Sequence, residues 1–414
     1  MAGLRLRPGV TALDRLATAD AQMFWSSAKI ANDQFLVYGF DGVPTDLEAA
    51  LIQVRARAHN CPELLLHIDD SQWWEFPRWL PAPVADFGVH DLSELGGSWP
   101  VCLQAVADLP QLDAGVACWR LHVFPGIRGI PGIAGTGTVV VVQISHALGD
   151  GTRSAALAAR LLGRGVPIPA VRPRRGGVLA LPYRALHASR AQRALDADTA
   201  SGAVPPPASL WPAQQTNNTP TGPISLRTMV VDRAALPGPT ITVAVLAAVG
   251  KALAELLGTD LLGAEVPMTK PGLRRANNHF GNVGIPLDPK RIAAELAARR
   301  ARVAHPALAA AEAAVSSVPA PLLRWGAAQF DPSARSERVA GNTVVSSVDR
   351  GPADLIFGGC PVRMTSGYPG LSPMMGLTHG VHGIGGRIAI SVHAAASAVV
   401  DVDEYLDKLS RYLR

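Results

Sequence analysis

The chain has 414 residues, more than one hydrophobic core usually supports, so two domains of roughly 150 to 200 residues are expected. It is 48% apolar and 17% charged, a bias that a large core, a lipid tunnel or a membrane-facing surface could each explain. No uncharged apolar run is long enough to span a bilayer, since the best candidate, Ile241 to Leu257, is broken by Lys251 and Glu255, and a net charge of +5 is too small to suggest nucleic acid.

The N-terminus is basic, but no apolar segment follows before Asp14 and Asp20, so a secretory signal is not expected. Ala12 to Met23 reads as a helix, Phe35 to Phe40 as a strand, and Thr45 to Cys61 as an amphipathic helix capped by Thr45. Leu64 to Ile68, Trp119 to Phe124 and Val139 to Ser145 follow as strands. The last is apolar almost throughout and runs into His146, after which Thr152 to Leu162 reads as a helix ended by Gly163. His146 therefore sits on a short strand-to-helix corner flanked by glycines. An imidazole held there, with a pKa of about 6.5, suits general-base chemistry near neutrality.

Beyond the corner, nine arginines fall between Arg153 and Arg193 with no acidic residue among them. That block could receive phosphate groups or anionic headgroups. Prolines accumulate from Gly165 to Pro223 and mark a crossover linker, within which Leu181 to Leu195 could form a basic amphipathic helix. Then come a strand at Ser225 to Val231, a helix at Thr242 to Leu257, and a strand at Glu265 to Thr269 that runs into Asn277 to Asn282. A helix at Ile292 to Val303, strands at Asn342 to Ser347 and Arg387 to His393, and a helix at Val402 to Leu413 complete the order. The four cysteines lack metal-ligand or redox spacing and read as buried thiols.

The spacing His146-x-x-x-Asp150-Gly151 after an apolar strand resembles the active-site signature of the CoA-dependent acyltransferase superfamily, which includes chloramphenicol acetyltransferases, condensation domains, polyketide-associated acyltransferases and bacterial wax ester synthase/diacylglycerol acyltransferases. Across nearly the whole chain the order of features is most similar to the last branch. Thr11 to Asp14 is similar to its Leu-Ser-x-x-Asp element, and Trp119 stands where it has Pro-Leu-Trp, here preceded by Ala117 and Cys118. Phe280 to Asn282 matches a Gly-Asn element, and Ser346 to Pro352, followed by Phe357 to Pro361, resembles a modified Ser-Asn-Val-x-Gly-Pro segment. Three departures mark a divergent member. Ser145 replaces the first of two tandem histidines, Ile241-Thr242 stands for an Asn-Asp pair, and Ser347 replaces an asparagine.

The resemblance implies an α/β fold of two chloramphenicol acetyltransferase-like lobes, each a mixed sheet with flanking helices, with the active site at their interface. Residues 1–164 would form the first lobe, 165–223 the linker and 224–414 the second lobe. It implies an O-acyltransferase that moves a fatty acyl group from acyl-CoA to a hydroxyl acceptor such as an alcohol or glycerolipid, with acyl-CoA as substrate and no cofactor. His146 would be the base, Asp150 would anchor the turn through an arginine, and Gly151 would allow close helix approach. Asn282, Ser346 and Ser347 are the candidate oxyanion donors, with Trp119 and Ser145 as further candidate substrate neighbours. The protein is expected in the cytoplasm, with peripheral membrane contact through the Arg153 to Arg193 region and no nucleic-acid partner. Two alternatives stay open: a carrier-protein-dependent condensation-type acyltransferase, and a lipid-binding scaffold that has lost catalysis.

Other constellations lack chemical context. His379 and His382, with His393 beyond, have glycine neighbours that read as a loop and no acidic or thiol co-ligand, so no metal site is expected. The glycines from Gly129 to Gly137 precede a strand, whereas a phosphate cradle follows one. No Gly-x-Ser-x-Gly elbow is present.

Overall fold

The computed structural model describes residues 15–174 and 177–414. The Thr11 to Asp14 element and Arg175 of the basic block lie outside the described residues. Two six-stranded sheets dominate. The first runs Ile356–Phe357, Cys360–Gly367, Gln34–Asp41, Thr136–Ile144, Trp119–Arg128, Phe87–Val89. The second runs Phe280–Pro286, Gly263–Thr269, Thr343–Asp349, Leu377–Ile384, Arg387–Ala395, Ile224–Asp232. Both are mixed, because Phe87–Val89 joins its neighbour in parallel and Thr343–Asp349 lies parallel to both of its own. The expected two-lobed α/β architecture is therefore present.

The strand leading to the histidine is central because its side chains cannot face water. Val139 to Val142 and Ile144 are fully buried, with cores on both faces of the sheet. Each such side chain contributes roughly 1.5–3 kcal/mol over its exposed state. Opposite them, Gln34–Asp41 pairs from Gln34↔Ile144 to Asp41↔Gly137. Beyond it, Cys360–Gly367 crosses from the second half of the chain into the first sheet and pairs Leu36 with Gly367. The sheets are thus interlocked rather than consecutive in sequence.

Several boundaries differ from the sequence expectations. The second helix is Leu47–His59, capped by Asp46, whose side chain accepts from Ala49 N at 2.8 Å; Thr45 stands one residue too early. Leu64 belongs to a 3-10 turn, and only Leu66–Asp69 is strand. The linker helix extends over Leu181–Ala200 and packs on Pro306–Val315. Trp99–Ala107, Pro306–Val315 and Ala320–Ala328 carry proline in their first turns, where its missing N–H costs nothing, so a residue that reads as a breaker instead starts each helix. His379 and His382 lie on strand Leu377–Ile384, not on a loop.

That correction has a packing cause. Gly380 lets the strand pass against the carbonyl of Gly367 on the crossover strand, in space a methyl group would occupy. Gly380→Ala should therefore destabilise the protein by about 2–4 kcal/mol, read as a lower chemical-denaturation midpoint with an unchanged slope.

Candidate functional site

The corner after Ile144 is held from below. Ser145 N donates to Cys118 O at 2.9 Å, and Gln34 Nε2 donates to Gly149 O at 2.6 Å. Asp150 then starts helix Gly151–Leu161 by accepting from Arg153 N at 3.0 Å. Its other oxygen accepts from Arg274 Nη1 at 2.8 Å and from His279 N at 3.0 Å. The Asp150 carboxylate, 5% exposed, is therefore spent on anchoring, and its arginine comes from the other half of the chain. Gly151 leaves room for Val348, whose Cγ2 would lie 2.9 Å from an added Cβ. Strand Thr343–Asp349 can thereby press against the start of this helix.

His146 is half-buried, and its Nδ1 lies 2.8 Å from Asn278 Oδ1. The amide is oriented by its other end: Asn278 Nδ2 donates to Asp20 Oδ1 at 2.9 Å and to His146 O at 2.7 Å. Its oxygen must then face the ring, so Nδ1 carries the proton and Nε2 carries the lone pair. Burial lowers the imidazole below its ordinary pKa, which keeps it neutral near pH 7. The ring of Phe280 stands 5.6 Å away, centroid to centroid.

Asp20 completes the relay. It lies on helix Thr18–Ser27, is 2% exposed, and accepts from the backbone N–H groups of Asn277 at 2.8 Å and Asn278 at 2.9 Å as well as from the Asn278 amide. Burial pushes its carboxyl up to about 6, against the pull of those three donors. Asn277 Nδ2 reaches Ala147 O at 3.2 Å, and Asn277 O accepts from Arg274. Asp20, Arg274, Asn277 and Asn278 were all missed by sequence reasoning. The available signal was a carboxylate among the small apolar residues Ala19 and Ala21, and a tandem asparagine just before a strand.

A cavity of about 1280 Å³ opens beside this junction, with Asn278, His279, Gly281 and Asn282 in one wall and Leu16, Ala19 and Gln22 in another. Arg15, Arg78, Arg174, Lys270 and Arg275 line it too, and among the described residues its one acidic side chain is Glu312, which pairs with Lys270 at 2.6 Å. The lining thus combines five cationic side chains with a largely apolar remainder.

The other sequence candidates fall in different places. Asn282 reaches the cavity but also donates to Glu265 Oε2 at 3.1 Å. Ser346 and Ser347 lie on the strand that meets Gly151, and among the described residues no hydrogen bond joins either to His146. Trp119 is a core residue, 1% exposed, with its indole N–H given to Leu64 O at 2.8 Å. Ser145 is 4% exposed beneath the corner. The arginine block is not one surface. Arg153 is buried, with Nη1 on Pro169 O at 2.6 Å, and Arg164 binds Asp354 and Arg350 O.

Two histidines of the second sheet make structural bonds. His379 bridges Thr343 Oγ1 at 2.9 Å and Tyr405 OH at 3.0 Å, and His393 Nδ1 meets Pro369 O at 2.9 Å. Among the described residues no cluster of His, Cys, Asp and Glu could hold a metal ion. The four cysteines are buried and unpaired, and burial pushes the Cys61 thiol up to about 12. Among the described residues no single helix is long and apolar enough to cross a membrane.

No family model and no curated protein matches this sequence. By structure, the chain is similar to the wax ester synthase/diacylglycerol acyltransferase from Marinobacter aquaeolei VT8, with a TM-score of 0.55 and 15% identity over 97% of this chain and 98% of that one. It is similar to the starter condensation domain of rhizomide synthetase RzmA in complex with C8-CoA, at TM-score 0.57 and 15% identity over 97% and 93%. A structure of that domain without a named ligand gives 0.51 and 14% over 98% and 96%. The fold is accordingly that of the CoA-dependent acyltransferases, reached here by a sequence far diverged from both.

The ion pair of Asp150 with Arg274 is more than 90% buried at Asp150 and ties the corner to the segment carrying Asn278. Arg274→Met should cost about 3–5 kcal/mol, because it strands the carboxylate, whereas replacing both partners by apolar residues of similar volume should cost less. Urea denaturation of the single and double variants checks this.

Proposed function

We propose that the protein is an acyltransferase that moves a fatty acyl group from acyl-CoA to a hydroxyl acceptor, an alcohol or a glycerolipid, with His146 as general base. The carrying observation is the relay from Asp20 through Asn278 to His146 Nδ1, which leaves Nε2 as the acceptor atom, while Asn278 itself lines a large cavity. In this reading Nε2 takes the proton of the acceptor hydroxyl as its oxygen attacks the thioester carbonyl. The C–S bond then breaks, and the imidazolium returns the proton to the departing CoA thiolate. Base catalysis of this kind contributes about 10²- to 10⁴-fold, so positioning must supply much of the rest. Asn282, Ser346 and Ser347 remain the proposed donors to the tetrahedral oxyanion. Arg174, Lys270 and Arg275 in the cavity lining suit the CoA phosphates.

The proposed lobes are residues 1–164 and 224–414, joined by the crossover 165–223, with the 356–367 segment lent back to the first sheet. Lipid acceptors would be met at the linker helix and the turn before it, where Leu179 of the turn is 98% and Tyr183 of the helix 73% exposed and Arg190 and Arg193 face solvent. A cytoplasmic protein in peripheral contact with the inner membrane face fits this arrangement. The similarity to a condensation domain favours a second reading, in which an acyl carrier protein delivers the acyl group or an amine receives it. Parallel assays of CoA-bound and carrier-bound donors against alcohols and amines separate the two. Absence of thiol release with every pairing would leave the lipid-binding scaffold.

His146→Ala should lower acyl transfer by at least about 10³-fold while shifting the melting temperature by less than about 2 °C; turnover retained in this variant would refute the mechanism. The acid limb of kcat/KM should fall near pH 6. Below that value Asp20 takes up a proton and accepts from the Asn277 and Asn278 donors more weakly; above it the carboxylate is ionised, His146 is neutral, and the rate reaches its plateau. Asp20→Asn should lower kcat by about 10- to 100-fold and remove the limb's dependence on that carboxyl.

A further inference from the structure

We infer that the loop carrying Trp73 and Trp74, together with the outer face of helix Ala320–Ala328, docks on a phospholipid bilayer, its indoles seated at the boundary between headgroups and acyl chains. Strands Leu66–Asp69 and Arg78–Pro81 pair antiparallel, and the turn in the loop that joins them presents Trp73 and Trp74, 62% and 55% exposed, with ring centroids 5.9 Å apart at right angles. On the helix, Leu322 and Trp325 are 59% and 65% exposed and, being three residues apart, share one face. Turns ordinarily carry small or polar residues, and a tryptophan left in water forgoes the burial that its ring favours.

The loop and the helix are tied together by charge and ring contacts. Arg324, the residue before Trp325, forms an ion pair with Asp70, and its guanidinium carbon lies 5.4 Å from the ring centroid of Trp25 on helix Thr18–Ser27. The Trp25 ring in turn stacks on Phe76, two residues after Trp74, at 6.0 Å. Carboxylates on either side of the tryptophan pair are neutralised, Asp70 by Arg324 and Glu75 by Arg15 and Arg78. Lys29 is exposed, and its Nζ donates to Ala328 O and Phe330 O at 2.6 Å each, which places a positive charge at the end of the helix beside the exposed Phe330.

Composition and size favour a bilayer over a second protein. Helices Pro306–Val315 and Ala320–Ala328 together have the length and apolar composition of a membrane-spanning segment, but they meet at 99°, a bend that suits a shallow seat of about 5–10 Å in lipid rather than one straight span. At 150–250 Å² for a whole aromatic side chain, three indoles exposed to this extent present roughly 300–450 Å², well under the ~800 Å² per partner of a stable protein interface. Tryptophan prefers the membrane–water boundary, where its ring meets acyl chains and its N–H stays wet. The surface also adjoins the cavity beside Asn278, since Phe76 and Val315 line that cavity and Val315 is itself exposed. None of these residues lies on linker helix Leu181–Ala200, so this is a separate contact of different chemistry, ring insertion rather than basic attraction. Delivery of a lipid from this surface to the cavity rests on the acyltransferase reading; the docking does not.

Flotation of the full-length protein with phosphatidylcholine vesicles, with and without phosphatidylglycerol, tests this together with quenching of its tryptophan fluorescence by brominated lipids. The protein should float with the vesicles, and bromine near the headgroup end of the acyl chains should quench more than bromine at the chain end. Trp73→Ser combined with Trp325→Ser should lower the vesicle partition coefficient at least about tenfold at an unchanged melting temperature, whereas Arg190→Ala combined with Arg193→Ala should leave quenching of the bound protein intact. Acyl transfer to a water-soluble alcohol should be equal in the tryptophan variant and the parent, so docking and catalysis are read separately. Failure to float, a partition coefficient unchanged by the tryptophan variant, or loss of quenching with the arginine variant alone would overturn the inference. A dimer in solution that the tryptophan variant dissociates, without vesicle binding, would overturn it in favour of a second copy of this chain.

Discussion

Asp20 is the constraint on which the rest of the site depends. One buried carboxylate accepts from three N–H groups of the Asn277–Asn278 dipeptide, and those residues in turn hold the carbonyls of His146 and Ala147. The first helix, the histidine corner and the second-half segment therefore share one hydrogen-bonded knot. Each bond alone contributes only about 1 kcal/mol net, or 1.5–3 where the carboxylate is charged. What makes the knot binding is the cost of opening it, since every group would be left buried and unpaired.

Asp150 and Asp20 divide the labour at the corner. Asp150 lies four residues from His146 in sequence, yet its oxygens cap a helix and bind Arg274 and His279 N. Asp20 is distant in sequence, yet it sets the ring tautomer through one amide. The carboxylate nearest in sequence thus fixes where the backbone goes, and the remote one fixes where the proton sits. An amide intermediary has a further consequence: it transmits orientation without transferring a full negative charge to the ring, so the imidazole is not driven toward its protonated form as a directly paired carboxylate would drive it.

Much of this was legible in the sequence and some was not, for reasons that can be named. The central strand and its corner were readable because four consecutive valines beside a glycine-bounded turn have few other uses. Helix Ile292–Val303 was read to its exact ends because its periodicity is unmixed. Strand Cys360–Gly367 was not recognised, because its alternation is short, runs from Val362 to Thr365, and is preceded by Pro361 and a glycine pair; its stability comes from long-range pairing with Gln34–Asp41. Asn278 was unrecognised for a related reason. An asparagine pair before a strand reads as a turn, and only the fold brings an aspartate from the first helix against it. The expected Asn-Asp pair was sought at Ile241-Thr242, which the structure places at the start of a helix capped by Thr240.

The same geometry bears on Ser145, the departure that most favoured a degenerate scaffold. Its backbone N–H is bonded to Cys118 O, its carbonyl accepts from Leu148 N at 2.9 Å, and the residue is 4% exposed. Position 145 therefore shapes the floor of the corner, while the ring whose tautomer is set by Asn278 belongs to position 146. Replacing a histidine by serine at 145 alters packing below the site and leaves the proton-accepting nitrogen and its relay in place. The Asp20–Asn278–His146 relay weighs toward chemistry, because a scaffold needs neither a fixed tautomer nor a carboxylate held in the core at the expense of desolvation.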